Sequence, residues 1–411
     1  MGWNTLAEGR VYVSDLFASD LAVAASCKKC GPARTAAEVA DQTRRQYNQG
    51  ERRLKERQCE KGHYGKADHD VVLQRPSPDP QHGLRRALHR AGIDVSSTSQ
   101  WELQEHEHPA IEPLLRYKKM SRLLTANGWA WMDEWVSEGR YRPVYVPGGV
   151  VTGRWASSGG GALQIPRRLR PALRADPGWL LVSADVSQLE PRVLAAMSHD
   201  GEMIAAGAGK DLYSGIVEAG VVASRQEAKV GVLGALYGGT TGDSGRVVPR
   251  LRRTFPEAMA LVDGAAATGE RGGTVTTWLG RSSPAPEPGW VQAQRSANGP
   301  DARAGEQERA RRSARDRGRF TRNFVVQGTA AEWALCWMGE IRRRLRSAGM
   351  RTELVFFVHD EVVLHGPATE AEAVRTVVTE SASAAGRLLF GAAPVDFPLT
   401  VASLDSYADA K

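Results

Sequence analysis

The amino-acid sequence predicts an α+β fold, because helical and extended patterns occupy separate blocks of the chain. Apolar residues recur at helical spacing within residues 84–135 and again within about 202–265. Short apolar segments bounded by turn residues, such as WLLVSAD at 179–185, predict strands. The segment LVFFVHDEVVLHG at 354–366 predicts a β-hairpin. A chain of 411 residues is long enough for one large fold with several lobes.

Charge indicates the class of partner. The formal net charge is +7, which favours a polyanion, with nucleic acid before an anionic membrane surface. Residues 28–66 carry 11 basic residues against five acidic ones, so this block holds most of the surplus. The chain has no run of about 18 apolar residues and no secretory pattern at its N-terminus. We expect a soluble cytoplasmic protein that contacts no membrane.

Two predicted strands carry an aspartate where a core residue is expected, Asp185 and Asp360. An isolated ionised carboxylate in an apolar setting is strongly disfavoured unless it is paired, hydrogen-bonded or bound to metal. If the two strands are neighbours in one sheet, both carboxylates reach one point. Two Mg²⁺ ions there would compensate both charges, because Mg²⁺ binds a few carboxylate oxygens and completes its shell with water and phosphate.

Each of these segments also has a purely structural interpretation. Ser187, followed three residues later by Glu190, fits a helix capping box, and Asp185 would then be part of a helix start. His359, Asp360 and Glu361 would be a charged hairpin turn at the sheet surface. The two segments taken singly leave both interpretations open.

A predicted helix between the two strands carries a third pattern. Within SRQEAKVGVLGALYGG, Arg225, Lys229, Leu233 and Tyr237 recur at intervals of four, so they share one helix face. Two cations followed by an apolar residue and a tyrosine can hold a triphosphate at one end and stack a base at the other.

Five segments in the same order resemble motifs of family A DNA polymerases, the bacterial DNA polymerase I type. They are TGRW (152–155) with ALQIP (162–166), DVSQLEPR (185–192), RQEAKVGVLGALYG (225–238), RFTRNFVVQGTAAE (319–332) and VHDE (358–361). The resemblance covers about residues 84–411. It implies a right-hand architecture with an antiparallel palm sheet and helical fingers and thumb. The implied domains are a thumb at 1–147 with a basic insertion at about 27–82, a first palm part at 148–200, fingers at 201–325 and a second palm part at 326–411.

The resemblance also implies residue roles. Asp185, Asp360 and the Val186 carbonyl would bind two Mg²⁺ ions, with Mn²⁺ as a substitute, and Glu361 would support them. Lys229 would donate a proton to the leaving pyrophosphate. The nucleotide-binding residues would be Arg225, Lys229, Leu233, Tyr237, Glu190, Gln188 and His359, with Glu190 as the gate against a ribose 2′-hydroxyl. The residues contacting DNA would be Arg154, Gln164, Arg319, Asn323 and Gln327.

The implied function is template-directed addition of dNTPs to a primer 3′ end by a monomeric enzyme bound to primer-template DNA. No exonuclease or 5′ nuclease pattern precedes the thumb region, so we expect no proofreading. Leu233 stands where an aromatic residue is usual, Val186 where Tyr is usual and Pro191 where Leu is usual. A catalytically silent DNA-binding scaffold and a bypass or RNA-templated polymerase are the alternatives. A nucleoid-associated or phage-encoded origin fits the implied function.

A cysteine and histidine cluster in the basic block suggests a structural metal. Cys27 and Cys30 are followed, after 28 residues, by Cys59 and His63. Thiolates and an imidazole at this spacing could close a tetrahedral Zn²⁺ site and organise a segment with little core of its own. Scattered thiols in a loosely ordered loop are the alternative. Cys336 is predicted to be a core residue.

Overall fold

The computed structural model of the protein describes residues 80–159, 161, 163, 165–239 and 242–410, and four two-residue strands before them. These strands form two antiparallel pairs: β1 (Ser26–Cys27) with β2 (Gly31–Pro32), and β3 (Arg57–Gln58) with β4 (Tyr64–Gly65). The chain divides into two compact units, Met1–Ala130 and Trp131–Lys411.

The first unit contains helices around a small core. They are α1 (Pro80–Arg90), α2 (Gln100–Gln104) and α3 (Ile111–Asn127). Leu88, Leu103 and Leu114 are buried together in this core. Proline at the first position of α1 is compatible with a helix, since its missing N–H would have no partner there. The Pro-rich stretch RPSPDPQHG at 75–83 favours an extended connection, but the chain is helical from Pro80 onward.

Small hairpins open the second unit, after α4 (Trp129–Trp135). Antiparallel pairs form between β5 (Val136–Ser137) and β6 (Arg140–Tyr141), and between β7 (Val144–Val146) and β8 (Ala156–Gly159). The hydroxyl of Tyr145 in β7 makes two hydrogen bonds to the backbone of Phe357. It accepts from the Phe357 N–H at 3.1 Å and donates to the Phe357 carbonyl at 2.9 Å.

A four-stranded antiparallel sheet is the centre of the second unit. Its strands are β9 (Trp179–Val186), β10 (Glu353–Val358), β11 (Glu361–Pro367) and β12 (Leu399–Leu404), in the order β10-β11-β9-β12. The apolar segment WLLVSADV thus lies between two partners, and Val182 and Ala184 are buried in the core. The predicted strand at 179–185 and the predicted hairpin are both confirmed, and so is the α+β class.

Helices cover the chain between β9 and β10. They are α5 (Leu189–Ser198), α6 (Gly201–Gly207), α7 (Leu212–Glu218), α8 (Arg225–Tyr237), α9 (Gly242–Thr254), α10 (Pro256–Glu270), α11 (Pro288–Ala297) and α12 (Ala304–Ser347). The stretch 280–302 is rich in Gly, Pro and Ser, which is typical of a loop, yet α11 lies inside it. Its Gln294 donates to the Ala310 carbonyl at 2.9 Å, which attaches α11 to α12.

The core of the second unit forms where α12 and α13 (Ala371–Phe390) pack together beside the sheet. Trp333 and Trp337 of α12 are fully buried, and the Trp337 indole N–H donates to the Val378 carbonyl of α13 at 2.9 Å. Helices α10 and α12 approach closely at Gly269, where a β-carbon would lie 2.1 Å from the Thr321 hydroxyl. Glycine is therefore required at this contact.

Further predictions concern the cysteines and the absence of a membrane span. Cys336 is half-buried against the core, in agreement with its predicted core position. The zinc candidates Cys30, Cys59 and His63 lie outside the described residues, and of Cys27 only the backbone in β1 is described. Among the described residues, no helix is both long and apolar enough to cross a bilayer.

Candidate active site

The hairpin turn between β10 and β11 presents the first carboxylate. Val358 pairs with Glu361, so His359 and Asp360 form a two-residue connection. His359 has φ of 62°, a left-handed conformation that glycine normally takes at the first position of such a turn. Asp360 is exposed in this turn, so the expectation that it lies within a strand at a core position is wrong, and the hairpin-turn interpretation describes its position.

Asp185 lies beside this turn because of the strand register. It pairs with Glu361 of β11 on one side and with Thr400 of β12 on the other. The N–H of Val186 also donates to the Asp360 carbonyl at 3.0 Å, which joins the turn to the end of β9. Partial loss of solvating water, and then repulsion from the Asp185 carboxylate, raises the pKa of Asp360 to about 6. The sheet thus brings together two carboxylates that are 175 positions apart.

Glu361 is directed to different partners. Its carboxylate accepts from the Ser183 hydroxyl at 2.6 Å and from the Tyr407 hydroxyl at 3.0 Å. Burial and the neighbouring Glu361 charge raise the pKa of Tyr407 well above its ordinary value, so its hydroxyl remains a donor. These contacts favour a role for Glu361 in fixing the strand end.

The capping-box interpretation of Ser187 and Glu190 is wrong. Helix α5 begins at Leu189, and its N-cap residue Gln188 is left-handed, with φ of 52° and no side-chain cap. The Glu190 carboxylate instead accepts from the Tyr237 hydroxyl of α8 at 3.0 Å and forms an ion pair with Arg154. Glu190, the predicted sugar gate, is therefore in contact with Tyr237 of the predicted nucleotide-binding face and with Arg154.

Helix α8 exposes the predicted face. Ser224 caps its first turn by accepting from the Glu227 N–H at 3.2 Å, and Gly238 ends it in a left-handed conformation. Arg225, Lys229 and Tyr237 are exposed, and Leu233 is half-buried. The opposite face is buried through Ala228, Val232, Ala235 and Leu236.

A cleft of about 310 Å³ connects these groups. Asp360, His359, Glu190 and Leu233 all line it. Arg154 lines it too, next to Trp155, whose ring packs on Tyr145 and Phe357 at 5.5 and 5.7 Å between ring centres. Burial and the nearby Arg154 charge lower the pKa of His359.

Sequence reasoning missed one acidic residue beside the cationic face. Asp211, the N-cap of α7, accepts from Arg225 through two bonds, Nε to Oδ1 at 3.1 Å and a terminal nitrogen to Oδ2 at 2.8 Å. Gln188 also donates to Asp211, at 2.7 Å. An aspartate directly before a helical segment predicts a cap. Nothing in that pattern indicates an arginine partner 14 positions later.

The predicted DNA-contacting residues are spread more widely. Arg319 forms an ion pair with Asp316 on the exposed side of α12. Asn323 and Gln327, farther along the same helix, are half-buried, and the Asn323 amide nitrogen is buried without a hydrogen-bond partner among the described residues. Gln164 lies outside the described residues.

The basic run Arg303–Arg322 does not face solvent throughout. Arg322 is largely buried, where it forms an ion pair with Asp263 at 2.5 Å and donates to the Ala235 carbonyl at the end of α8. Arg317 donates to the carbonyls of Gly273 and Pro284 at 3.0 and 2.9 Å. At least two members of the run therefore stabilise the packing around α12.

The donor set suits a hard divalent cation. Asp185 and Asp360 lie in neighbouring positions at the sheet end. Partial loss of solvating water, and then repulsion from Asp185, raises the pKa of Asp360, so a cation beside the two carboxylates would be favourable. The described chain offers no group of three or more His, Cys, Asp and Glu side chains that could bind a metal. Two carboxylates with a backbone carbonyl fit Mg²⁺, which retains water and phosphate oxygens in its shell.

Comparison with known proteins finds relatives that are bacterial DNA polymerases I. The chain is 32% identical over 337 residues to DNA polymerase I of Chloroflexus aurantiacus, a match that covers 75% of this chain and 33% of the relative. It is 29% identical over 343 residues to the thermostable DNA polymerase I of Thermus aquaticus, covering 76% of this chain and 38% of the relative. The chain thus spans only about a third of the length of the first relative and less than two fifths of the second.

A solved structure supports the architecture. The polymerase domain of Pol1 from M. smegmatis, in complex with DNA primer-template and dNTP, matches with a TM-score of 0.61 and 21% identity over 76% of this chain and 57% of that one. This likeness confirms the predicted right-hand polymerase fold. The family model described as DNA polymerase family A matches residues 85–403, more than three quarters of the 411 residues. The chain therefore belongs to DNA polymerase family A.

Proposed function

We propose that this chain catalyses template-directed addition of dNTPs to the 3′ end of a DNA primer. The observation that carries the proposal is the meeting of Asp185 and Asp360 beside a cleft that also contains the Glu190 gate and Leu233 of α8. If metal ions hold one end of a triphosphate at the carboxylates, its remaining phosphate groups would bind the exposed Arg225 and Lys229. Family membership and the primer-template and dNTP bound by the structural neighbour support the same substrates.

The residues at the end of the sheet have proposed tasks. Asp185, Asp360 and the Val186 carbonyl would hold Mg²⁺, which when bound activates the primer 3′-hydroxyl and neutralises phosphate charge. Glu361, held by Ser183 and Tyr407, would fix the strand end that carries the metal ligands. The protein's remaining contribution is position and fixed charge.

The nucleotide itself would be held by α8 and the gate. Lys229 has no ion pair to another described residue, so its ammonium group is available to neutralise the leaving pyrophosphate and give it a proton. Glu190, fixed by Tyr237 and Arg154, would occupy the space of a ribose 2′-hydroxyl. Leu233 would give less stacking on the base than an aromatic residue.

The domain assignment goes with the proposal. Residues 1–147 would form the thumb, 148–200 and 326–411 the palm, and 201–325 the fingers. Arg154, Arg319, Asn323 and Gln327 would contact primer or template. Because its proposed substrate is DNA, we propose that the protein acts in the cytoplasm, on the nucleoid or on phage DNA in a host cell.

We also propose that this chain polymerises without removing misincorporated nucleotides. Loss of 3′ nucleotides from a primer in the absence of pyrophosphate would contradict this proposal.

Primer extension tests the proposal. The wild type is expected to extend a primer on a DNA template, whereas Asp185→Ala and Asp360→Ala are expected to be inactive. Asp176→Ala removes an aspartate that pairs with Arg140 before the opposite end of β9, and serves as the folding control. Activity that persists in both metal-ligand variants would refute the two-metal assignment.

A wild type that binds primer-template DNA but adds no nucleotide would favour the silent scaffold instead. The same assay on an RNA template tests the RNA-templated alternative, which Leu233 in the cleft keeps open.

A further inference from the structure

Arg225, the first cation of the α8 face, is already held by an acidic residue. Asp211 accepts two hydrogen bonds from its guanidinium group, at 3.1 and 2.8 Å. The Tyr213 ring lies on another side of the same group, with 5.5 Å from the guanidinium carbon to the ring centre. Two residues of the α7 segment therefore hold this side chain, although about half of its surface remains exposed.

Asp211 is itself fixed in place. One oxygen caps α7 by accepting from the Ser214 N–H at 2.9 Å, and the other accepts from Gln188 at 2.7 Å. Gln188 belongs to the segment that follows β9, three residues after Asp185. The carboxylate is thus attached to both α7 and the metal-ligand strand, while Arg225 belongs to α8.

The position of this pair relative to the cleft suggests competition. Gln188 and Tyr213 line the cleft beside Asp360, whereas Asp211 and Arg225 do not. A phosphate group is recognised by the same planar set of N–H donors that a carboxylate occupies in a two-bond pair. A triphosphate that extends from the cleft to Arg225 would therefore compete with Asp211 for the same donors.

We propose that Asp211 is an affinity-setting residue, which competes with the nucleotide triphosphate for Arg225 and thereby weakens dNTP binding. The inference rests on the proposed polymerase function, and deepens it by naming a residue that regulates the nucleotide site. Arg225 and Asp211 have 54% and 29% of their side chains exposed, and pairs this exposed contribute little to stability. The competition is therefore weak enough for a triphosphate to overcome.

Asp211→Asn tests the direction of the effect. Asparagine is as good an N-cap as aspartate and still accepts hydrogen bonds, but it carries no charge to hold Arg225. We expect the KM for dNTP in single-nucleotide incorporation to fall about two- to fivefold with little change in kcat. A contact that merely orients Arg225 would instead raise KM on removal, so an unchanged or raised KM would overturn the proposal.

The control variant is Asp176→Asn, which removes the charge from another aspartate–arginine pair of similar exposure, 53% for Arg140 and 36% for Asp176. It should leave KM unchanged. If Asp211→Asn does not fold, as judged by thermal unfolding, Asp211→Ser removes the charge and keeps a capping hydroxyl.

A double-variant comparison separates competition from general repulsion. In an Arg225→Gln background, Asp211→Asn should leave KM unchanged, because the contested donors are gone. The same decrease in both backgrounds would show that the carboxylate acts only by repelling anions, and would overturn the proposal.

Titration calorimetry with inorganic tripolyphosphate and Mg²⁺ compares the same variants without turnover. Tighter binding by Asp211→Asn than by wild type supports the competition even if the wild type fails to extend primers, a result that would remove the polymerase proposal alone.

Discussion

The two halves of the candidate site differ in how their charges are compensated. On the sheet, partial loss of solvating water, and then repulsion from the Asp185 carboxylate, raises the pKa of Asp360 to about 6. On α8, Arg225 is paired with Asp211, and hydrogen bonding to that carboxylate raises the pKa of the guanidinium. The anionic half is therefore prepared to gain a cation, whereas part of the cationic half must first give up a partner. Binding of a cation by the two aspartates would relieve their repulsion, whereas binding of a triphosphate by Arg225 would replace its existing ion pair with Asp211.

The largest expected effect removes the anionic half. Asp360→Asn or Asp185→Asn should lower the rate of primer extension about 1000-fold or more, because each loses a ligand of a metal that supplies several kcal/mol to the reaction. Single-turnover incorporation with saturating dNTP and Mg²⁺ measures this. An Asp176→Asn control should retain its rate, and a variant that loses less than tenfold would contradict the assignment.

The Asp360→Asn substitution should also raise the stability of the metal-free protein at neutral pH. With a folded-state pKa of about 6, above the ordinary value of 3.8 for an aspartate, Asp360 binds its proton more tightly in the folded protein. Its ionisation therefore destabilises the fold as the pH rises from about 4 to 6. Without metal, Asp360→Asn should therefore unfold at a higher temperature than wild type at pH 7.5, and the difference should vanish near pH 4. Thermal melts with and without Mg²⁺ check this, since the metal should remove most of the difference.

On the cationic half, Lys229→Ala should lower kcat/KM for dNTP about 10- to 100-fold, which corresponds to one charge-assisted hydrogen bond. Because Lys229 has no described ion-pair partner, its loss should cost almost no stability. Arg346→Ala, an exposed cation at the far end of α12, is the control for net charge. Equal losses in the two variants would mean that only overall charge matters.

We expect the contact of Glu190 with Tyr237, which joins the halves, to control sugar choice. Glu190→Ala should lower the preference for dNTP over rNTP at least about tenfold, because the space for a 2′-hydroxyl opens. Tyr237→Phe, which loses only the hydrogen bond at 3.0 Å, should lower it about two- to tenfold. Competition of paired nucleotides in single-nucleotide incorporation gives both ratios. A larger effect for Tyr237→Phe than for Glu190→Ala would assign the gate to the tyrosine.

The smallest expected effect concerns the turn that presents Asp360. His359→Gly should stabilise the protein by about 1 kcal/mol, since glycine adopts positive φ without the clash of a β-carbon. Glu138→Gly makes the same backbone change at φ of 52° in the β5–β6 turn. Both variants should unfold at higher temperature, but only the first should lose activity. An activity loss of equal size in Glu138→Gly would remove the special role of His359.

Local pattern was enough to predict the cationic face. Arg225, Lys229, Leu233 and Tyr237 follow a fixed helical period, so their shared face can be read from sequence. The meeting of Asp185 and Asp360 was a conditional prediction, because strand pairing between distant segments has no signature in either strand. The resemblance of the motifs to a known family supplied that condition.

Other features depend on the folded chain alone. Ser187 and Glu190 fit a capping box in sequence, yet the left-handed Gln188 moves the helix start and frees Glu190 for Arg154 and Tyr237. Asp211 reads as a simple cap, and its pairing with Arg225 follows from how α7 and α8 pack. The contact of Tyr407 with Glu361 joins residues 46 positions apart, and neither residue type predicts it.

The Tyr145 phenol has a consequence for behaviour at high concentration. Strand β10 is the outer strand of the sheet, and an outer strand offers unpaired N–H and C=O groups to another molecule. At Phe357 both groups are already bonded to one hydroxyl. The edge nearest the cleft is therefore a poor template for intermolecular strand addition, which should limit aggregation of the folded protein at that place.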